Sequence, residues 1–261
     1  MPRLPSLFIS HGSPMLALDA GPTGAAWSKV AQSLPRPSAV VVASAHWLTS
    51  LPAVSTTASP ATIHDFHGFP EPLFQLQYNP PGAPAVAERA AALLAAAGLQ
   101  VGVDPGRGLD HGAWVPLKNM YPAADVPVFQ LAIQPRENPA HHLRVGHALA
   151  ALRNEGVLVI GSGSITHNLR ELEWDAPEDT AINEYVPAFQ QWVYDKLLAS
   201  DQAALLDYRK QAPGAQRAHP TDEHYLPLYV ALGAAGPDAK AERLHTGLTN
   251  GGLAMDVYAF R

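Results

Sequence analysis

The chain of 261 residues contains no cysteine. That absence excludes a disulfide framework, a thiolate zinc finger, an iron–sulfur cluster and a thiol nucleophile. A transition-metal site in this chain must be built from histidine and carboxylate. Charge is also scarce, with Asp, Glu, Lys and Arg making up 15% of the residues, against about 25% in ordinary domains. The 17 basic and 23 acidic residues leave a net charge of −6. With no clustered basic run, this argues against a nucleic-acid partner. A surface so poor in charge suits a homo-oligomer. No apolar run is long enough to span a bilayer: the alanine-rich stretch Ala83 to Ala97 is short and carries Glu88 and Arg89. Met1 to Ser10 holds one basic residue and a brief apolar stretch broken by Pro5, unlike a secretory signal. The expectation is a soluble cytoplasmic protein with no membrane partner. Two familiar site signatures are missing as well. Gly161-Ser162-Gly163-Ser164 is neither a dinucleotide fingerprint nor a P-loop, and no G-x-S-x-G elbow supports a serine hydrolase.

What the chain does have is 47% hydrophobic residues, 25 prolines and 12 histidines. The first is enough for one sizeable core; the second predicts long, shaped loops. Leu7-Phe8-Ile9, Ala39 to Ala43, Val126 to Ile133 and Val157 to Ile160 read as buried strands, with a further strand over Leu99 to Val103. Helical patterns fall at Gly24 to Leu34, Pro84 to Ala97 (closed by Gly98), Trp114 to Met120, Pro139 to Arg153, Thr180 to Ser200, Gln202 to Lys210 and Tyr225 to Gly233. Residues 57–82 read as a long loop. Glu242 to Thr249 and Leu253 to Phe260 read as strands joined at Asn250-Gly251, a hairpin signal. Alternating strands and helices predict an α/β fold: a mostly parallel central sheet flanked by helices, with a C-terminal antiparallel hairpin, in one domain over residues 1–261.

The histidines are placed tellingly. The first strand runs into Ser10-His11-Gly12-Ser13-Pro14, the second into Ser44-Ala45-His46-Trp47, and the strand at 157–160 into Gly161 to Asn168 with His167. Ligands of open α/β sheets bind beyond the carboxyl ends of the strands, so three strand ends deliver histidines to one rim. His111, in Gly108 to Trp114, and the pair His219 and His224, in His219-Pro220-Thr221-Asp222-Glu223-His224, are further candidates. Neutral imidazole suits zinc, iron, copper and nickel. Asp110 either orients His111 or caps the following helix. His64 and His67 either line a pocket mouth or pack their loop. His141, His142, His147 and His245 read as solvated or satisfied.

The same five segments, in their order along the chain, resemble the DOPA-dioxygenase-type extradiol ring-cleavage dioxygenases, a branch of the class III superfamily that includes protocatechuate 4,5-dioxygenase. The resemblance runs from the first strand to about residue 235. It implies a non-haem Fe(II) site, often loaded with zinc in purified protein, that opens the ring of a DOPA- or caffeate-like catechol with O2 to give a semialdehyde. Carried over, His11, His46 and His224 are the implied metal ligands. His167 is implied as a fourth ligand or the acid/base, and His111 as a pocket histidine contacting substrate or dioxygen. His219, Ser13 and Trp47, within the matching motifs, are candidates for substrate contact. The protocatechuate branch uses a carboxylate as third ligand; here the matching position is His224, with Glu223 beside it. Two rival readings use the same residues: a zinc-dependent hydrolase with Glu223 or Asp110 as base, and a non-catalytic metal- or ligand-binding protein.

Overall fold

A computed structural model describes residues 3–261; Met1 and Pro2, included in the expected single domain, lie outside the described residues. Among the described residues ten strands are formed: β1 (Ser6–Ser10), β2 (Ala39–Leu48), β3 (Ala53–Ser55), β4 (Gly102–Asp104), β5 (Val128–Ile133), β6 (Val157–Gly163), β7 (Ala241–His245), β8 (Leu248–Thr249), β9 (Leu253–Ala254) and β10 (Val257–Phe260). Eight of them make one sheet in the order β4-β3-β5-β2-β6-β1-β10-β7. Its centre, β5-β2-β6-β1, is parallel, while β10 and β7 add antiparallel at one edge. The expected hairpin is present in two pieces. β10 pairs with β7, and β8 pairs with β9 across the Asn250-Gly251 turn.

Side-chain alternation explains why the central strands are apolar throughout. Phe8, Val41 and Val159 enter one core with α3 (Pro84–Ala96), α5 (Pro139–Leu149), α6 (Tyr185–Leu198) and α10 (Pro227–Ala235). Their neighbours Leu7, Ile9, Val40, Val42, Leu158 and Ile160 enter the other core, against α1 (Gly21–Ser33) and α4 (His111–Met120). A strand covered on both faces gains from burying every residue. The short helices α2 (Glu71–Gln75), α7 (Gln202–Leu206), α8 (Tyr208–Gln211) and α9 (Ala215–Ala218) complete the described helices. None of the described helices is long and apolar enough to cross a membrane.

Several boundaries differ from the sequence reading, among them α4, which starts at His111 rather than Trp114, and β4, which is Gly102–Asp104 rather than Leu99 to Val103. The long loop 57–82 contains α2 and is stitched to the body by bridges Thr62–Leu109 and Gly82–Val128. The long helix starts at Tyr185 rather than Thr180. Two strands outrun their apolar stretches. β6 continues through Gly161-Ser162-Gly163 because the helix side approaches it closely: a Cβ on Gly163 would lie 2.1 Å from the His224 carbonyl oxygen. β2 continues to Leu48, so His46 lies in the strand and not beyond it. There Ser44 pairs with Ala132 but Leu48 with Ile133, which leaves Ala45, His46 and Trp47 bulged away from β5. A bulge of this kind re-aims side chains.

Candidate active site

At the carboxyl end of the parallel strands, five histidines converge from five segments. His11 follows β1, His46 rides the β2 bulge, His111 opens α4, His167 follows β6, and His224 precedes α10. The segment carrying His224 is bonded to the strand by Ser164, whose N–H donates to the His224 carbonyl at 2.8 Å. Gly112 plays a similar part for His111. A Cβ there would lie 2.6 Å from Ser44 Oγ and 3.1 Å from His46 Cδ2, so only glycine lets α4 meet the bulge this closely.

The hydrogen bonds assign the tautomers. Ser162 gives its hydroxyl proton to the Gly112 carbonyl at 2.5 Å. Its oxygen must therefore accept from His11 Nδ1–H, 3.0 Å away, which leaves His11 Nε2 bare. Glu223 Oε1 is 3.0 Å from His224 Nδ1, and a carboxylate can only accept, so His224 Nε2 is bare too. His46 Nδ1 faces the Asp65 carboxylate at 3.5 Å. His46 Nε2 then lies 3.0 Å from that of His11 and 3.2 Å from that of His224.

The lone pairs of His11 and His224 both face His46 Nε2. Metal–nitrogen bonds of 2.0–2.1 Å set imidazole nitrogens about 3 Å apart around one ion, so the donor set fits a divalent metal. Burial, followed by the neighbouring histidines, holds His11, His46 and His224 well below the ordinary imidazole range, which keeps them neutral as ligands must be.

His111 and His167 flank this trio. The His111 ring lies 3.9 Å from that of His46. The His167 ring stacks parallel on that of His224 at 3.4 Å and 9°. Burial, then the proximity of His111, lowers His167 to about 4.

Asp65, which the sequence reading passed over, is part of this centre. Its Oδ1 accepts from the His111 N–H at 2.9 Å and its Oδ2 from His111 Nδ1 at 3.0 Å. Burial would raise this carboxyl, but the hydrogen bonds it accepts from the His111 ring and main chain hold it at about 2. Of the two readings of Asp110, capping is the observed one. It accepts from Ala113 N–H, and its two oxygens also take Ser44 Oγ, Arg107 and Gln130. With both oxygens engaged and no exposure, Asp110 cannot serve as a hydrolytic base.

Three further candidates have other partners. His219 is fully buried among Phe189, Tyr208 and Tyr225 and donates Nε2–H to the Ile165 carbonyl at 2.8 Å. Ser13 caps a short 3-10 turn through Met15 N–H. Trp47 packs with Ala53 and Ala132 beneath the Arg107 guanidinium. His64 donates to the Leu76 carbonyl at 2.9 Å and so packs its loop.

A chain whose sheet gathers buried histidines at its carboxyl rim is an α/β protein with a candidate metal site. Residues 5–260 match the family model described as the catalytic LigB subunit of aromatic ring-opening dioxygenase. The chain is 42% identical over 260 residues to a 4,5-DOPA dioxygenase extradiol of Beta vulgaris, covering 98% of this chain and 96% of that one. It is 43% identical over 238 residues to a protein of the same name from Escherichia coli strain K12, covering 89% and 85%. A crystal structure of an uncharacterized Escherichia coli K12 protein superimposes with a TM-score of 0.83 at 35% identity, over 99% of this chain and all of that one. The chain belongs to this family of extradiol aromatic ring-opening dioxygenases, enzymes that cleave the ring of catechol-like substrates with O2.

Proposed function

We propose that the enzyme opens the ring of a DOPA-like catechol at an Fe(II) centre held by His11, His46 and His224, forming a semialdehyde. The observation that carries this reading is the convergence of three Nε2 atoms, that of His46 lying 3.0 Å from His11's and 3.2 Å from His224's. The names of the relatives, 4,5-DOPA dioxygenase extradiol, support the substrate class. Bound iron would supply the Lewis acidity that lowers the proton affinity of the diol, and the redox capacity that dioxygen chemistry requires. Zinc could occupy the same nitrogens in purified protein without that redox capacity.

The chain's own groups handle the protons. His167 is neutral at physiological pH and accepts the proton of the second hydroxyl. Its ring lies parallel to that of His224, a stacking that favours an acid/base role over a fourth ligand. His111 borders the same space from the α4 side. Phe66, whose ring edge meets His111 at 5.8 Å and 83°, gives that wall an aromatic face suited to a flat ring.

The test is anaerobic reconstitution with Fe(II), addition of DOPA, caffeate or catechol, and then air. Oxygen uptake with a new visible band is expected for at least one diol. No uptake with any of the three overturns the reading.

A further inference from the structure

We propose that Asp65 is a positioning residue that fixes which nitrogen of His111 carries the proton. The proposal deepens the reading above by giving His111 a bare Nε2 facing the centre.

The geometry is a two-point grip. One carboxylate oxygen holds the His111 main chain at 2.9 Å and the other holds its ring at 3.0 Å, so the ring can neither flip nor slide. A carboxylate can only accept, so Nδ1 carries the hydrogen and Nε2 is left as a lone pair. The same Oδ2 lies 3.5 Å from His46 Nδ1. That contact is longer than the two to His111, whose ring lies 3.9 Å from that of His46.

The loop bearing Asp65 is fastened for this purpose. Ile63 N–H donates to the Leu109 carbonyl at 2.8 Å. Trp114 Nε1 donates to the Ile63 carbonyl at 3.1 Å. These bonds tie residues 62–65 to both sides of His111, and Phe66 closes over its edge. A segment 46 residues upstream is held so that one carboxylate reaches one histidine.

Asp65→Asn separates positioning from mere support. The amide is isosteric, and its oxygen can keep the main-chain bond. Its NH2 must then face Nδ1, which can satisfy it only as an acceptor, so the hydrogen moves to Nε2. His111 then presents a donor to the centre and can take no proton there. We expect kcat to fall about 10–100-fold, with bound metal and KM within about twofold of wild type. The decisive readout is independent of turnover. In 15N-histidine NMR of the full chain loaded with diamagnetic Zn(II), His111, assigned by its loss in His111→Gln, should carry its hydrogen on Nδ1 in wild type. In Asp65→Asn the hydrogen should move to Nε2.

A hydrogen that stays on Nδ1 in the variant overturns the proposal. So does a kcat within twofold of wild type, or a fall in kcat that only tracks lost metal. If wild type takes up no oxygen with any diol, the catechol reading fails while the nitrogen assignment still decides the role of Asp65.

Discussion

Two buried histidine regions of this molecule differ in one respect. At the base of α5, His142 has both nitrogens engaged: Nδ1–H donates to the Asn138 carbonyl at 3.0 Å, and Nε2 accepts from Gln134 N–H at 3.2 Å. At the strand rim, His11 and His224 each have one nitrogen engaged, by Ser162 and Glu223, and the other pointed at His46 Nε2. All three rings are buried and depressed in pKa, His142 to about 4 mainly by burial. Burial and titration therefore do not separate a structural histidine from a candidate ligand. Nor does a bare second nitrogen alone, since His219 Nδ1 is buried without a partner; a second nitrogen within 3.2 Å of another histidine's Nε2 does.

The widest gap should appear when each kind is removed. His224→Ala should lose the bound metal and all measurable oxygen uptake, a loss well beyond the roughly 100-fold typical of outer partners. His142→Leu should keep metal and turnover but cost about 1–3 kcal/mol in urea unfolding, because Gln134 N–H is left buried without an acceptor. Metal analysis beside unfolding curves checks both, and a metal-free His142→Leu protein would erase the distinction. Next in size is His167→Ala, which should retain metal and lower turnover about 10²–10⁴-fold. A full ring-opening rate in that variant would remove His167 from the chemistry.

Ser162→Ala probes the engaged side of a rim histidine. It deletes the acceptor of His11 Nδ1–H, so the ring can rotate and change tautomer. Metal affinity, measured by chelator competition, should weaken about 10–100-fold. Unchanged affinity would mean that packing alone orients His11.

Much of this contrast was legible in the sequence. Small residues around His11, His46 and His167 at the ends of apolar stretches located the rim, and continuous β-branched runs located the buried strands. The β2 bulge was not legible, since it lies in the pairing of Ala45 to Trp47 with β5 and not in their composition. Nor was Asp65, whose partner is 46 residues away and whose loop carries no periodic pattern. Asp110, adjacent to His111, was the more visible carboxylate, but its oxygens go to Ser44, Arg107 and Gln130. His219 and Trp47 show the same limit: a motif contains buried packing residues beside its chemical ones.

A bare buried atom does not by itself mark a site, and Asp256 sharpens that point. Its Oδ2 accepts from Gln190 at 2.9 Å, but its Oδ1 is buried without a hydrogen bond and Arg243 stands 3.9 Å away. Burial, only partly offset by Gln190, Thr246 and Arg243, raises this carboxyl to about 6 from 3.8. Where several imidazole nitrogens meet at the rim they suit a cation; here one bare oxygen stands alone and costs stability. Below about pH 4 the carboxyl is neutral in both folded and unfolded chains. Between about 4 and 6 the unfolded chain ionises first, so the stability contributed by the neutral form is lost as pH rises through the folded value. Asp256→Asn should therefore change little near pH 4 and stabilise by about 1–3 kcal/mol above pH 6, with the gain levelling off there. Urea unfolding of both proteins across that range measures it. An equal gain at every pH would assign the effect to packing rather than ionisation, and no gain at pH 8 would show that Arg243 neutralises the carboxylate across the 3.9 Å gap.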